Sequence, residues 1–435
     1  MHVSRRDTFK LLLAGAATSG LPQLSVAAIA LQPLILGNGL RAHLVANQSG
    51  YVSLSLILRS KNIVHQHGLA HIMEHTSFTG AAGRLSASEV AEAQRDYIQE
   101  GNASTALGVL QWDASFLPRY LPQVLSLLSD ITLDQKFDTE TVARETKIVL
   151  EELYLEKYNA NVGQQKAFEV ALYGKTHPHV ARTLDAEIAA AKLSPERLTT
   201  DLLRYASTIR LPANMDLFIV GQFDPEQVVP VIEQHFGKYA YASGPYLELP
   251  TVGVTHAYQA LSGVSHQLKR PLSEVKIGWN TGVRITDPDA PTLIALCEYL
   301  NSILFKQLRE EHGEAYTPEA AYQPDAHSGI ISIVVPSSKH PSKVEERVFQ
   351  AIQSLKAGLD VREAGRMRDR AELQRRKIAS SPEAMVACMV RKAIDGASAD
   401  EMAPEAVRED ELIAAACKYL PSHKGAYVRL ALWGQ

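Results

Sequence analysis

Two histidines four residues apart with a glutamate between them, His71-Ile72-Met73-Glu74-His75, form the segment best suited to chemistry in this 435-residue chain. On a helix, residues four apart stack on one face with about 6 Å between their Cβ atoms, so two imidazoles so placed can converge on one ion. Glu74 falls on the same side, close enough to reach a water on that ion. The order is the reverse of the more familiar His-Glu-x-x-His arrangement. Two solvated histidines on a surface helix are the ordinary alternative.

A catalytic zinc ion takes three protein ligands and keeps a position open for water, so a third ligand is required. Glu145-Thr146-Lys147-Ile148-Val149-Leu150-Glu151-Glu152-Leu153 offers one. Glu145 and Glu152, seven apart, share a helix face, while Glu151 is turned about 100° away. An acidic solvated face is the competing reading. His65 and His67 read as loop histidines, because the pair and a carboxylate already complete a site.

The elements that must position these residues follow from pattern. Leu34 to Leu36 and Leu40 to Leu44 flank Asn38-Gly39, a hairpin signal, and Val52 to Leu58 alternates as a strand. Helical periodicity covers 68–79, 86–100, 117–131, 139–158 and 225–236, with an apolar strand at 215–220. Between about Lys238 and Gly263 the pattern lapses into Gly, Pro, Ser and Tyr, as a linker does. Beyond it come strands at 275–279 and 329–335 and helices at 290–310 and 342–359. Strands lead into long helices in both halves. The expected architecture is α+β, two related lobes, each an antiparallel-rich mixed sheet packed by helices. The lobes are expected at 31–240 and 263–435, joined by 241–262.

Hydrophobic residues make up 46% and charged residues 21%, enough apolar content for a core in each half. The formal net charge of −4 argues against a nucleic-acid binder, which would carry a basic face. Cys297, Cys388 and Cys417 are far apart, with no Cys-x-x-Cys pair, and read as buried thiols. Ser4-Arg5-Arg6-Asp7-Thr8-Phe9-Lys10, the apolar run Leu11 to Ala17 and Ala28-Ile29-Ala30 make residues 1–30 a signal peptide. Its paired arginines resemble the twin-arginine type, with an ordinary secretory signal or uncleaved anchor as the alternative. The expected mature protein is periplasmic, with no stable membrane insertion.

His71-Ile72-Met73-Glu74-His75 followed by the Glu145–Glu152 helix resembles the pitrilysin and insulinase family of zinc metallopeptidases, the inverzincins, to which mitochondrial processing peptidase belongs. Asn38-Gly39 before Leu40, Gly101-Asn102-Ala103, Leu172-Tyr173-Gly174 with His177-Pro178, Pro212 to Met215 and Leu308-Arg309-Glu310-Glu311-His312-Gly313-Glu314-Ala315-Tyr316 fall in that family's order. The resemblance implies a zinc-dependent endopeptidase acting on peptides or unfolded polypeptides. His71, His75 and Glu152 would hold one Zn2+ per chain, Glu74 would be the general base, and Glu145 would orient a ligand histidine. Asn102 and Ala103 would lie on an edge strand that receives the substrate as another strand, unless Gly101-Asn102 is a turn. Arg309 and Tyr316 would reach the substrate from the second lobe, Tyr316 sharing in catalysis; otherwise Tyr316 packs at a lobe interface and Arg309 makes a surface ion pair. A two-lobed chain further implies pairing, as a homodimer or with a related subunit. A catalytic subunit needing a degenerate partner, and a non-catalytic assembly subunit, are the rival readings. Ser60-Lys61-Asn62, Gln222 and Glu314 depart from the family's pattern.

Overall fold

The computed structural model describes residues 33–159, 161–265, 268–359, 361–397 and 408–434. The expected signal segment, 1–30, lies outside them. Eleven strands form two mixed sheets among the described residues. The first comprises β1 (Leu34–Ile35), β2 (Arg41–Ala46), β3 (Val52–Arg59), β4 (Glu100–Ala106), β5 (Val109–Phe116) and β6 (Met215–Gly221). Their spatial order is β1-β2-β6-β3-β5-β4, and only β2 and β6 run parallel. The second comprises β7 (Gln259–Ser265), β8 (Ser273–Asn280), β9 (Glu319–Pro324), β10 (Gly329–Ser337) and β11 (Val428–Gly434), ordered β7-β11-β8-β10-β9. Here only β7 and β11 run parallel.

Leaving aside the short β1, the two sheets have the same topology. The last strand of each half inserts between the first and second, and the fourth separates the second from the third. Both remain antiparallel-rich with helices against them, which makes the fold α+β with two related lobes.

β3 alternates in sequence but is buried along nearly its whole length. Leu54, Leu56 and Leu58 enter the first core. The opposite face carries Ser53, Ser55 and Ile57, all buried. That face is covered by a helix from the second half, Pro382–Asp395, which packs on β3 and β6. The carboxylate of Glu383 accepts from Tyr51 at 2.6 Å and Ser115 at 3.1 Å, and Arg59 donates to Ala393 O at 2.7 Å. In return, the helix Val162–Tyr173 of the first half packs on the second sheet, where Phe168 and Leu172 meet Ile330, Val428, Leu430 and Leu432. Each half lends a helix to the other's sheet.

No helix or strand occurs between Phe236 and Gln259. The helix expected at 117–131 begins as a 3-10 turn, Pro118–Tyr120, and becomes α-helical only from Leu121 to Leu133; the prolines remove donors at both starts. The helix expected at 290–310 is α-helical over Ala290–Leu304 and continues as π-helix over Phe305–Glu311. Of the three thiols only Cys297 is buried, contrary to expectation; Cys388 is half-buried and Cys417 exposed.

Candidate metal centre

The histidine helix runs from His67 to Thr76, directly after a short helix, Lys61–His65. His65 and His67 are therefore helix-terminal, not loop, residues. The inward face of the histidine helix carries Gly68, Ala70, His71, Ile72, Met73 and Thr76. Its C-terminal end is fixed from outside: Gln135 donates to Met73 O at 3.3 Å and to Thr76 Oγ1 at 2.8 Å, and Trp112 Nε1 donates to Ser77 Oγ at 3.0 Å. The bond to Met73 O serves a carbonyl of the helix's last turn, and the other two hold the hydroxyls of Thr76 and Ser77.

The carboxylate helix, Thr139–Tyr158, crosses the histidine helix. Asp138 caps it by accepting from Thr141 N at 2.8 Å. Val142, Val149 and Leu153 anchor it in the core, and this orients Glu145 and Glu152 toward the histidines. Glu152 Oε2 lies 3.5 Å from His71 Nε2 and 3.4 Å from His75 Nε2. One ligand atom from each of the three residues lies within 4.8 Å of the others, and among the described residues no other group of three is so placed. Glu151 is exposed and outside the group. Hydrogen bonds from His71 and then His75 hold the Glu152 carboxyl well below the usual carboxylate range, so it is ionised at neutral pH.

The far sides of the two rings meet acids as well. His75 Nδ1 is 3.9 Å from Glu145 Oε2, both side chains being buried. His71 Nδ1 is buried without a hydrogen-bond partner and lies 4.0 Å from Glu187 Oε2. Glu187, on the helix Leu184–Ala191, is 3.1 Å from His67 Nδ1 and accepts from Arg182. Burial alone would raise its pKa, but His67 and Arg182 outweigh that and bring it to about 2.

Glu74 accepts a hydrogen bond from Thr105 Oγ1 at 2.6 Å. Thr105 belongs to β4, which pairs with β5 alone and is the sheet's edge. Asn102 and Ala103 are thus on an edge strand rather than in a turn, Asn102 exposed and Ala103 half-buried. Sequence reasoning missed Thr105 and Glu187. Neither carries a local signal, since each acts across a long loop of chain.

Arg309 and Tyr316 are together elsewhere. The Arg309 guanidinium stacks over the Tyr316 ring, 4.6 Å from its centroid, and donates to the Tyr316 carbonyl. Tyr316 is 72% exposed, so it is not packed at a lobe interface. Among the described residues, neither makes a hydrogen bond or ring contact to His71, Glu74, His75 or Glu152. Glu314 is buried and ion-paired to Lys343 at 2.9 Å and Arg347 at 3.2 Å, which accounts for an acid at that position.

Comparison with known proteins identifies the family. A family model described as insulinase (peptidase family M16) matches residues 62–178, and one described as the peptidase M16 inactive domain matches 199–370. An uncharacterised zinc protease of Mycobacterium tuberculosis is 26% identical over 270 residues, 61% of this chain and 60% of that relative. The chain thus spans about 60% of the length of that curated relative. Among solved structures, a protease from Helicobacter pylori superposes with a TM-score of 0.76 at 15% identity, covering 92% of this chain and 98% of that one. The periplasmic protease PqqL of Escherichia coli gives a TM-score of 0.70 at 15% identity, covering 98% of this chain but 49% of that one. With both halves matched by M16 models and the whole fold shared, the chain belongs to the insulinase family, peptidase family M16.

Proposed function

We propose that this chain is a zinc-dependent endopeptidase that cleaves peptides or unfolded polypeptides. The observation that carries the proposal is the convergence of His71, His75 and Glu152, with Glu74 on the same helix and tied to an edge strand. Two imidazole nitrogens and one carboxylate oxygen are the donor set of a catalytic zinc. They would hold one Zn2+ per chain. Bound there, the ion supplies Lewis acidity, lowering the pKa of a water from 15.7 toward about 7.

The chain's own groups do the rest. Glu74 takes the proton from the attacking water and returns it to the leaving amine. Thr105 fixes one Glu74 oxygen, and the other makes no hydrogen bond among the described residues. Glu145 faces His75 Nδ1 and would set that ring's orientation. β4 offers unpaired N–H and C=O groups along its outer edge, to which an extended peptide adds as a strand, with little demand on its sequence. Because Thr105 sits on that strand and touches Glu74, a peptide paired along Asn102 and Ala103 runs past the base. Arg309 and Tyr316 would donate to a substrate carbonyl or the developing oxyanion.

A match to half of the longer PqqL chain supports a paired assembly, as a homodimer or with a related subunit. The arginine pair and apolar run before residue 31 support export to the periplasm. Among the described residues no helix is long and apolar enough to cross a membrane.

The deciding experiment measures zinc in the purified chain and its cleavage of a quenched peptide with and without chelator. Stoichiometric zinc and chelator-sensitive cleavage support the reading. A folded protein with neither ends it. Zinc without cleavage, restored by a second related chain, favours an obligate pair.

A further inference from the structure

We propose that Glu187 is a positioning residue for the metal centre, the acceptor that fixes the His71 ring as Glu145 fixes that of His75; this rests on the zinc reading above. A histidine that gives Nε2 to a cation carries its remaining proton on Nδ1, and a buried N–H needs an acceptor. His71 Nδ1 is buried and has no hydrogen-bond partner. The nearby acid is Glu187, with Oε2 at 4.0 Å, almost the 3.9 Å that separates His75 Nδ1 from Glu145 Oε2. The two rings are thus flanked alike: a shared carboxylate, Glu152, on their Nε2 side and a separate buried carboxylate behind each.

Glu187 is held for this task from three directions. His67, one turn before His71, lies 3.1 Å from its Oε2. Arg182 donates to both carboxylate oxygens and also reaches Glu156, 3.6 Å away on the carboxylate helix. At Gly68 the histidine helix lies close against the helix bearing Glu187: a Cβ there would fall a tight 3.3 Å from Ala190 Cβ and in ordinary contact, 3.6 Å, with Glu187 Cα. One carboxylate therefore joins the histidine helix, the helix behind it and, through Arg182, the helix that supplies Glu152.

The test uses the full chain stripped of metal. Zinc affinity is read by competition with a chromophoric chelator, and Tm is measured on the same samples without metal. Glu187→Ala should weaken zinc binding by about 10–100-fold, the range for loss of a ligand's outer partner. Glu187→Gln, whose amide oxygen still accepts from an N–H, should recover most of that loss. Arg182→Ala removes the ion pair but leaves the acceptor, so it should lower Tm more than it weakens zinc binding. If Glu187→Ala does not fold, Glu187→Met, of similar length but without an acceptor, takes its place against Glu187→Gln.

Wild-type zinc affinity without the acceptor would overturn the assignment. So would Arg182→Ala and Glu187→Ala weakening zinc equally, since that is the signature of a merely structural role. A wild-type chain that binds no zinc would instead sink the peptidase reading itself, which separates the two failures.

Discussion

The two lobes share a strand order and part company in what their helices carry. In the first, the helix that follows the second strand presents His71, Glu74 and His75. In the second, the helix at the same place, Ala290–Leu304, buries Leu293, Leu296, Cys297, Tyr299 and Leu300 in an apolar core. The 20-residue helix Thr139–Tyr158 contributes two of the acids around the histidines. Its 20-residue counterpart after the fourth strand of the other lobe, Val361–Ser380, is arginine-rich, with Arg366 and Arg376 largely exposed. Duplicated topology supplies two equivalent places for a site and only one set of donors. The fold determines where chemistry can happen, and the side chains decide whether it does.

Glu152→Ala tests that asymmetry most severely. It removes one of three donors that no residue of the second lobe replaces, so zinc content should fall to background and peptide cleavage with it. Unchanged zinc by mass spectrometry would transfer the ligand role to Glu151. Next in size, Glu74→Gln should leave zinc in place and cut kcat by about 10²- to 10⁴-fold, the contribution of a general base. The amide can keep the Thr105 hydrogen bond, so Tm should not move. Loss of zinc from this variant would show a ligand mistaken for a base.

The contrast between lobes also explains what the sequence could reveal. His71 and His75 were legible because four residues is a helical repeat, and Glu145 with Glu152 because seven is two turns. Alternation in β3 and the apolar run of β6 exposed the sheet. β4, Glu-Gly-Asn-Ala-Ser-Thr-Ala, gave no strand signal: an edge strand left open to solvent needs no apolar face. The exchange of helices between halves was equally hidden. Ser53 and Ser55 look solvent-facing in sequence, yet Pro382–Asp395 covers them from more than three hundred residues away. Glu187 and Thr105 read as ordinary surface residues because their partners lie on other elements.

Each lobe also buries a carboxylate against an arginine of its sheet, and the pairing in the first lobe gives a stability test. In the first lobe Asp216, on β6, pairs with Arg41 at 2.6 Å and Arg59 at 2.9 Å, with His43 at 3.1 Å. In the second, Glu345 accepts from Tyr427 at 2.6 Å and Arg429 at 3.2 Å. Asp216→Asn should destabilise by about 3 kcal/mol, the cost of breaking a buried pair and leaving cations uncompensated. Burial alone would raise the Asp216 pKa, but hydrogen bonds from His43 and Arg41 and the charge of Arg59 hold it well below its ordinary 3.8. Its contribution is therefore fully present above that value and is lost as pH falls below it. Chemical denaturation at pH 7 and at pH 3 should show the wild-type advantage over Asp216→Asn shrinking at the lower pH. An equal gap would mean that the ion pairs do not hold β6.

The smallest expected effect bears on whether the second lobe takes part in chemistry at all. Tyr316 is 72% exposed, so removing its hydroxyl leaves no cavity and no unpaired buried group. The Arg309 guanidinium stacks on the ring and not on the oxygen, so Tyr316→Phe retains that contact. Any change in turnover must then come from a lost donor to the substrate. If that hydroxyl steadies the developing oxyanion, kcat should fall about tenfold, roughly 1.4 kcal/mol of transition-state stabilisation, with zinc content, Tm and KM near wild type. Full activity would confine catalysis to the first lobe and leave the second as a scaffold that covers substrate. A rise in KM at constant kcat would make the tyrosine a binding contact, held equally in the ground and transition states.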